Sequence, residues 1–168
     1  MSLNKINIAV AGATGYVGLD LIKILSSHPR VSIKYLCAQK KIGKNIQFFD
    51  KKIKKKLPKI SNLKNVEWNK IDLLFCSLPT GQSQILAKKL IKKYNLKIID
   101  LSADFRLTNK RDFYKFYKKK HSAPELLKFS ISVSLYSRLS CNGIGFSTNL
   151  IFLYLLFVNF SIFQDCAE

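Results

Sequence analysis

Three features of this 168-residue chain predict an α/β fold built on a doubly wound parallel sheet. Short apolar, β-rich runs alternate with stretches whose apolar residues recur at helical spacing. Most of the apolar runs end at a breaker, so each has the length of a strand. A glycine-rich turn joins the first run to the first helix, and strands alternating with helices of this length imply parallel pairing with helices on both faces. The composition, 48% hydrophobic and 23% charged, is that of a globular chain long enough to bury a core.

Taken in order, Lys5–Val10 alternates and then runs apolar into Ala11-Gly12-Ala13-Thr14-Gly15, a buried strand meeting a tight turn. Tyr16 to Ser27 carries Val17, Leu21, Ile24 and Leu25 at helical spacing, and His28-Pro29 closes it because a residue before proline avoids the helical region. His28 is read as a helix-end residue. Val31–Cys37 is a second strand. Lys40 to Asn65 is cationic and irregular around Pro58, with room for one short strand or helix. Ile71–Leu78 is an apolar strand stopped by Pro79-Thr80-Gly81. Gln82–Tyr94 is helical, with Ile85, Leu86, Leu90 and Ile91 expected on one face and lysines on the other. Leu96–Leu101 is a further strand, and a helix is expected around Asn109–Lys118.

Charge divides the chain. Of its 29 lysines and arginines, 28 precede Phe129, whereas residues 129–168 hold only Arg138 with six Phe and seven Ser. The expected organisation is therefore a compact unit over 1–128 and an atypical apolar tail over 129–168. A net charge of +19 raises a nucleic-acid partner. The lysines are scattered in clusters without a nucleic-acid-reading motif, so a solvated basic face is the reading taken and no nucleic-acid partner is expected. Leu150 to Phe163 is interrupted by Asn159 and Ser161 and falls short of the roughly 20 residues of a membrane span. Cys37, Cys76, Cys141 and Cys166 have no CxxC pairing or histidine cluster, which argues against a metal site. The N-terminus lacks an export signal, so a cytoplasmic protein with reduced thiols is expected.

Gly12-Ala13-Thr14-Gly15-Tyr16-Val17-Gly18 sits where the first strand hands over to the first helix. In that context the first glycine permits the turn and the second lets a pyrophosphate reach the backbone. The third lets helix and strand pack closely, and the helix start attracts the phosphates. A purely structural glycine turn is the alternative. A reader of the ribose 2′-hydroxyl would be an acid about 20 residues further on. Val31 to Lys44 has none and offers Gln39, Lys40, Lys41 and Lys44 instead. Cations there suit a 2′-phosphate, which favours NADP over NAD, unless these lysines simply belong to the basic surface.

Three more segments complete the pattern: Leu78-Pro79-Thr80-Gly81-Gln82-Ser83, Asp100-Leu101-Ser102-Ala103-Asp104-Phe105-Arg106-Leu107 and His121-Ser122-Ala123-Pro124-Glu125-Leu126-Leu127. With the glycine turn, and over about residues 5–128, the chain resembles the N-acetyl-gamma-glutamyl-phosphate reductases of arginine biosynthesis. It is also similar to their relatives acting on the aminoadipyl analogue in lysine biosynthesis. The resemblance implies a Rossmann-like domain that binds NADP and an acyl-phosphate substrate reduced to its semialdehyde. In that family a cysteine thiolate displaces phosphate and hydride then collapses the thioester. The resemblance sets Gly12, Thr14, Gly15, Tyr16 and Val17 against the dinucleotide; Lys40, from the cationic stretch after the second strand, is the candidate for the 2′-phosphate on the charge argument above. The resemblance also sets Pro79, Thr80 and Gly81 beside ribose and nicotinamide. Arg106 is the substrate residue, its planar guanidinium suited to phosphate, with an ion pair to Asp104 or Asp100 as the other reading. Ser102 assists from the same turn, and His121 reads as structural or at the substrate's edge.

The family's nucleophile belongs to an Asn-Pro-Gly-Cys-Tyr-Pro-Thr type of segment, where this chain has Cys141-Asn142-Gly143-Ile144-Gly145-Phe146-Ser147-Thr148. Matching Asn142 and Thr148 puts Gly145 in the cysteine's slot and Cys141 four residues early. A 1 Å misplacement already costs on the order of 100-fold in rate, so no catalytic residue is assigned. The family's second α+β domain, with its acid–base histidine and dimer contact, is expected to be essentially missing. A reading-frame change near residue 129 would explain the shift in composition. An inactive piece of the reductase is then expected, without the family's homo-oligomer. A dinucleotide-binding module that catalyses nothing is the alternative.

Overall fold

The computed structural model describes residues 5–94 and 96–129. Five strands, β1 (Ile6–Ala11), β2 (Val31–Cys37), β3 (Ile60–Ser61), β4 (Leu73–Cys76) and β5 (Lys97–Asp100), form one sheet in the order β3-β2-β1-β4-β5. All neighbours are parallel. Among the described residues, α1 (Tyr16–Ser26) links β1 to β2, α2 (Gln82–Ile91) links β4 to β5, and α3 (Lys110–Tyr117) follows β5. The chain winds from β1 outward through β2 to β3, then returns to lay β4 on the other side of β1. The gap between β1 and β4 is therefore the point where strand order reverses, and that is where open parallel sheets hold ligands.

Alternate side chains of the central strands β1 and β4 feed two separate cores, which is why β4 and the second half of β1 read as continuous apolar runs rather than as alternation. Ala9, Ala11, Leu74, Cys76 and Ile98 pack with Ala87 and Leu90 of α2 and with Phe105, Leu126 and Leu127. Ile8, Val10, Leu73 and Phe75 pack on the opposite face with Leu21, Ile22 and Leu25 of α1 and with Ile46, Ile53 and Ile60.

Helix faces depart from the expectation in two places. In α1 the buried apolar side chains are Leu21, Ile22 and Leu25, while Ile24 is half-buried and Val17 is 46% exposed at the helix start. In α2 the buried face is Ser83, Gln84, Ala87 and Leu90, and Ile85 is 61% exposed. Leu86, Leu90 and Ile91 of the expected face do pack on the core, but Ile85 does not, because polar Ser83 and Gln84 turn inward, Gln84 to hydrogen-bonding partners described below. Apolar periodicity cannot register such a face. Lys88 and Lys89 do lie outside, as expected.

Helix ends follow local chemistry. The Asn109 side chain accepts from the Arg111 amide at 2.8 Å and caps α3, and Lys118 closes it in the left-handed region at φ 53°. Lys55 Nζ donates to the Ser26 carbonyl at 2.9 Å, a cation on the negative end of α1. His28 Nδ1 accepts from the Arg30 amide at 3.3 Å just past that helix, in keeping with a helix-end role. The irregular cationic stretch contains a 3-10 turn at Ile46–Phe48, the two-residue β3 and a second 3-10 turn at Leu63–Asn65. Among the described residues no helix is long and apolar enough to cross a membrane. The tail from 130 onward, with Leu150 to Phe163, lies outside the described residues.

Candidate functional site

The first β-to-α crossing is built from backbone. Gly12 leaves β1 at φ +84°, and a Cβ there would sit 2.0 Å from the Ser77 carbonyl oxygen. A Cβ on Gly18 would sit 2.2 Å from the Gly12 carbonyl oxygen, so α1 lies directly on the turn. The Gly12 and Ala13 amides donate to the Cys37 carbonyl at 2.9 and 3.0 Å, which ties the turn to the end of β2. Gly15 differs: a Cβ there would meet only the Gly12 oxygen, at an ordinary 3.4 Å. Protein packing does not demand glycine at this position. Gly15 is also the N-cap of α1, which has no side-chain cap and no acid in its first turn. The helix's first amides and its positive end are thus left for an anion.

A cleft of about 470 Å³ opens over this turn. Gly12, Thr14, Gly15, Tyr16 and Val17 form one wall, and Ser77, Leu78 and Pro79 from the end of β4 form another. Cys37, Ala38 and Gln39 at the end of β2 lie on one side, Leu101 after β5 on the other. Gln39 Nε2 donates to Gln82 Oε1 at 3.2 Å, and both residues line the cleft. Six of the expected site residues are therefore brought together: the five of the glycine turn and Pro79. Thr80 and Gly81 belong to the turn behind Pro79 but are not in the lining, and Lys40 is exposed one residue beyond Gln39. Arg106 and Ser102 lie outside the cleft wall. Asn62, Leu63 and Ser77 line it without having been anticipated. Only the general rule that ligands sit at strand carboxyl ends could have flagged them.

The second crossing, from β4 to α2, is chemically opposite. Gly81 turns at φ +98° ahead of α2. Its amide donates to both oxygens of Asp104, at 2.7 and 2.9 Å. The Gln84 amide and Gln84 Nε2 donate to the same carboxylate at 3.2 and 3.0 Å. Asp104 is completely buried, so a carboxylate 20 residues away in sequence caps this helix from inside the fold.

The loop carrying Asp104 is itself held by Asp100. Asp100 accepts from the Ser102 hydroxyl at 2.9 Å, the Ser102 amide at 3.3 Å and the Phe105 amide at 3.3 Å. Burial pushes the Asp100 carboxyl up from its ordinary range, against the opposing pull of these bonds. Ser102 Oγ also accepts from the Asp104 amide at 3.1 Å, so its hydroxyl is engaged in shaping the turn. The buried Ser83 hydroxyl leans toward Asp100 and Cys76 without a well-formed hydrogen bond. Arg106 is exposed on the same loop. His121 is buried: the Ala123 amide donates to its Nδ1 at 3.1 Å, so Nε2 carries the proton and donates to the Asp104 carbonyl at 2.9 Å. These bonds tie His121 to the Asp104 loop.

The described cysteines are unsuited to attack as thiolates. Burial pushes the Cys37 thiol up to about 11, and Cys76, fully buried beside Asp100, is also pushed well up. Cys141 and Gly145, the positions weighed for a nucleophile, lie outside the described residues.

A glycine turn and an open helix start at the reversal point of a parallel sheet place the molecule among the dinucleotide-binding domains. Comparison with known proteins narrows the class. Residues 7–135 match the family model described as semialdehyde dehydrogenase, NAD binding domain, and the chain belongs to that family. Over 119 residues it is 42% identical to an N-acetyl-gamma-glutamyl-phosphate reductase of Paracoccus denitrificans, covering 70% of this chain and 34% of that protein. It is 41% identical over 126 residues to a protein of the same name from Ehrlichia ruminantium, covering 74% and 36%. The chain thus spans about a third of the length of these curated relatives. Among solved structures, aspartate semialdehyde dehydrogenase from Candida albicans, determined with NADP, superposes with a TM-score of 0.50 at 22% identity. That match covers 64% of this chain and 32% of that one and speaks for the fold.

Proposed function

We propose that the first crossing binds NADP, and that the whole protein to which this domain belongs reduces N-acetyl-gamma-glutamyl phosphate to its semialdehyde. The observation that carries the cofactor reading is the uncapped start of α1, where, among the described residues, only the Gly12 oxygen comes near the place a Gly15 side chain would take. Gly12, Thr14, Gly15, Tyr16 and Val17 hold the pyrophosphate, which meets backbone amides and the positive helix end. Lys40 answers the 2′-phosphate, since no acid lies between Val31 and Lys44 to read a free ribose hydroxyl. Pro79, Thr80 and Gly81 border the nicotinamide half. Arg106, exposed on its loop, grips the phosphate of the substrate, and Ser102 fixes that loop. NADPH, when bound, supplies the hydride; these residues bind and orient. No nucleophile is assigned, because the described cysteines are buried and protonated. A small-molecule reductase of this kind belongs in the cytoplasm, without a nucleic-acid or membrane partner.

Equilibrium titration of the purified chain with NADPH and with NADH tests the reading. The expected result is saturable NADPH binding, at least about tenfold tighter than NADH, an advantage of about 1.4 kcal/mol. Absence of binding by either nucleotide overturns the cofactor assignment. Equal affinity overturns the role of Lys40.

A further inference from the structure

The three segments that accompany the glycine turn in sequence, 78–83, 100–107 and 121–127, meet at one buried point. We propose that Asp104 is a positioning residue for the nicotinamide half of the dinucleotide, acting through the turn that precedes α2. The inference rests on the dinucleotide reading above.

The carboxylate of Asp104 reaches that turn from behind. It takes the Gly81 amide on both oxygens and the amide and side chain of Gln84. The opposite side of the same turn lines the cleft, through Leu78, Pro79 and Gln82. Gly81 sits at φ +98° with nothing within 4 Å of where a Cβ would be, so local packing does not impose this shape. The Gln82 amide donates to the Pro79 carbonyl at 3.0 Å and Gln39 reaches the Gln82 side chain at 3.2 Å, but among the hydrogen bonds described Asp104 is what takes the Gly81 amide.

Asp104 in turn has no slack. Its amide donates to Ser102 Oγ at 3.1 Å, and its carbonyl accepts from His121 Nε2 at 2.9 Å. Gln84 is fixed at its other end by the Ser122 amide, which donates to Oε1 at 2.5 Å. Asp104 and Gln84 are fully buried and His121 is 9% exposed, so water does not compete for these bonds.

In a sheet of this winding the two halves of a dinucleotide lie on either side of the strand-order reversal. The adenosine half lies toward the end of β2, at Ala38 and Gln39, and the nicotinamide half toward the end of β4. Asp104 therefore shapes the wall for one half only. Supporting groups of this kind act by holding a binding surface within about 0.5 Å of its productive position.

The test compares two ligands, NADP and 2′,5′-ADP, the second being the adenosine half alone. In Asp104→Asn one acceptor oxygen becomes an N–H facing the Gly81 amide, and the turn shifts. The expected result is a loss of about tenfold in NADP affinity with unchanged 2′,5′-ADP affinity. Gln84→Ala, which leaves the carboxylate on Gly81, gives a smaller loss with the same asymmetry and carries the comparison if Asp104→Asn does not fold. Equal weakening of both ligands, or no weakening of either, overturns the proposal, because a merely structural knot would not separate the halves. A wild-type chain that binds neither ligand overturns the underlying cofactor reading, and this proposal with it.

Discussion

The two β-to-α crossings beside β1 and β4 are near neighbours in space and opposites in chemistry. Each begins with a glycine at positive φ and delivers a helix whose first amides need partners. At α2 the fold supplies the partner itself, a buried carboxylate with four hydrogen bonds directed at it. At α1 the described residues supply no side-chain cap. A start left open while the other two described α-helices are capped, by Asp104 and Asn109, is informative, because an internal acid is within this fold's means. The open start faces a cleft, and the capped one stiffens the cleft's wall.

That contrast can be attacked directly. Gly12→Ala is the severest challenge: its Cβ would overlap the Ser77 carbonyl and the backbone is left-handed. The variant should lose dinucleotide binding in a titration and be destabilised by well over about 1 kcal/mol in denaturant unfolding. Gly15→Ala separates ligand space from protein space. With φ −80° and an open surrounding, it should unfold within about 0.5 kcal/mol of the parent yet bind NADP about tenfold more weakly. A large loss of stability there would mean that Gly15 serves the fold instead.

The smallest effect concerns Cys37 on the rim. Its thiol pKa is raised from 9.0 to about 11 by burial, so the folded state holds its proton more firmly than the unfolded chain does. The stabilisation is full below pH 9 and is lost as pH rises through 11, by on the order of 2 kcal/mol. Unfolding of Cys37→Ala should lack that portion of the alkaline decline. Iodoacetamide at pH 8 should leave the Cys37 peptide of the native protein unmodified.

Much of the fold was legible because a strand buried on both faces, such as Leu73–Cys76, announces itself as an apolar run, and Val31–Cys37, with Lys34 turned out, still emerged with the bounds expected of it. The glycine turn was equally plain, since its spacing encodes a steric requirement visible in Gly12 and Gly18. What escaped was polar and distant. Gln84 and Ser83 face inward, and a hydrophobic pattern assigned that role to Ile85. Asp104 read as a possible partner of Arg106, because nothing local indicates that its carboxylate caps a helix beginning 22 residues earlier. Ser77, Asn62 and Leu63 entered the cleft lining through the winding of the sheet, which residue identity does not encode.

The contact between Gly18 and the Gly12 carbonyl has one more consequence. With no side chain between them, helix and strand exit move as one piece, and the amides at the helix start acquire their orientation when the sheet itself assembles. A phosphate arriving later meets a berth already in register. Little chain entropy is left to lose on capture, and recognition there should proceed as docking onto a rigid form.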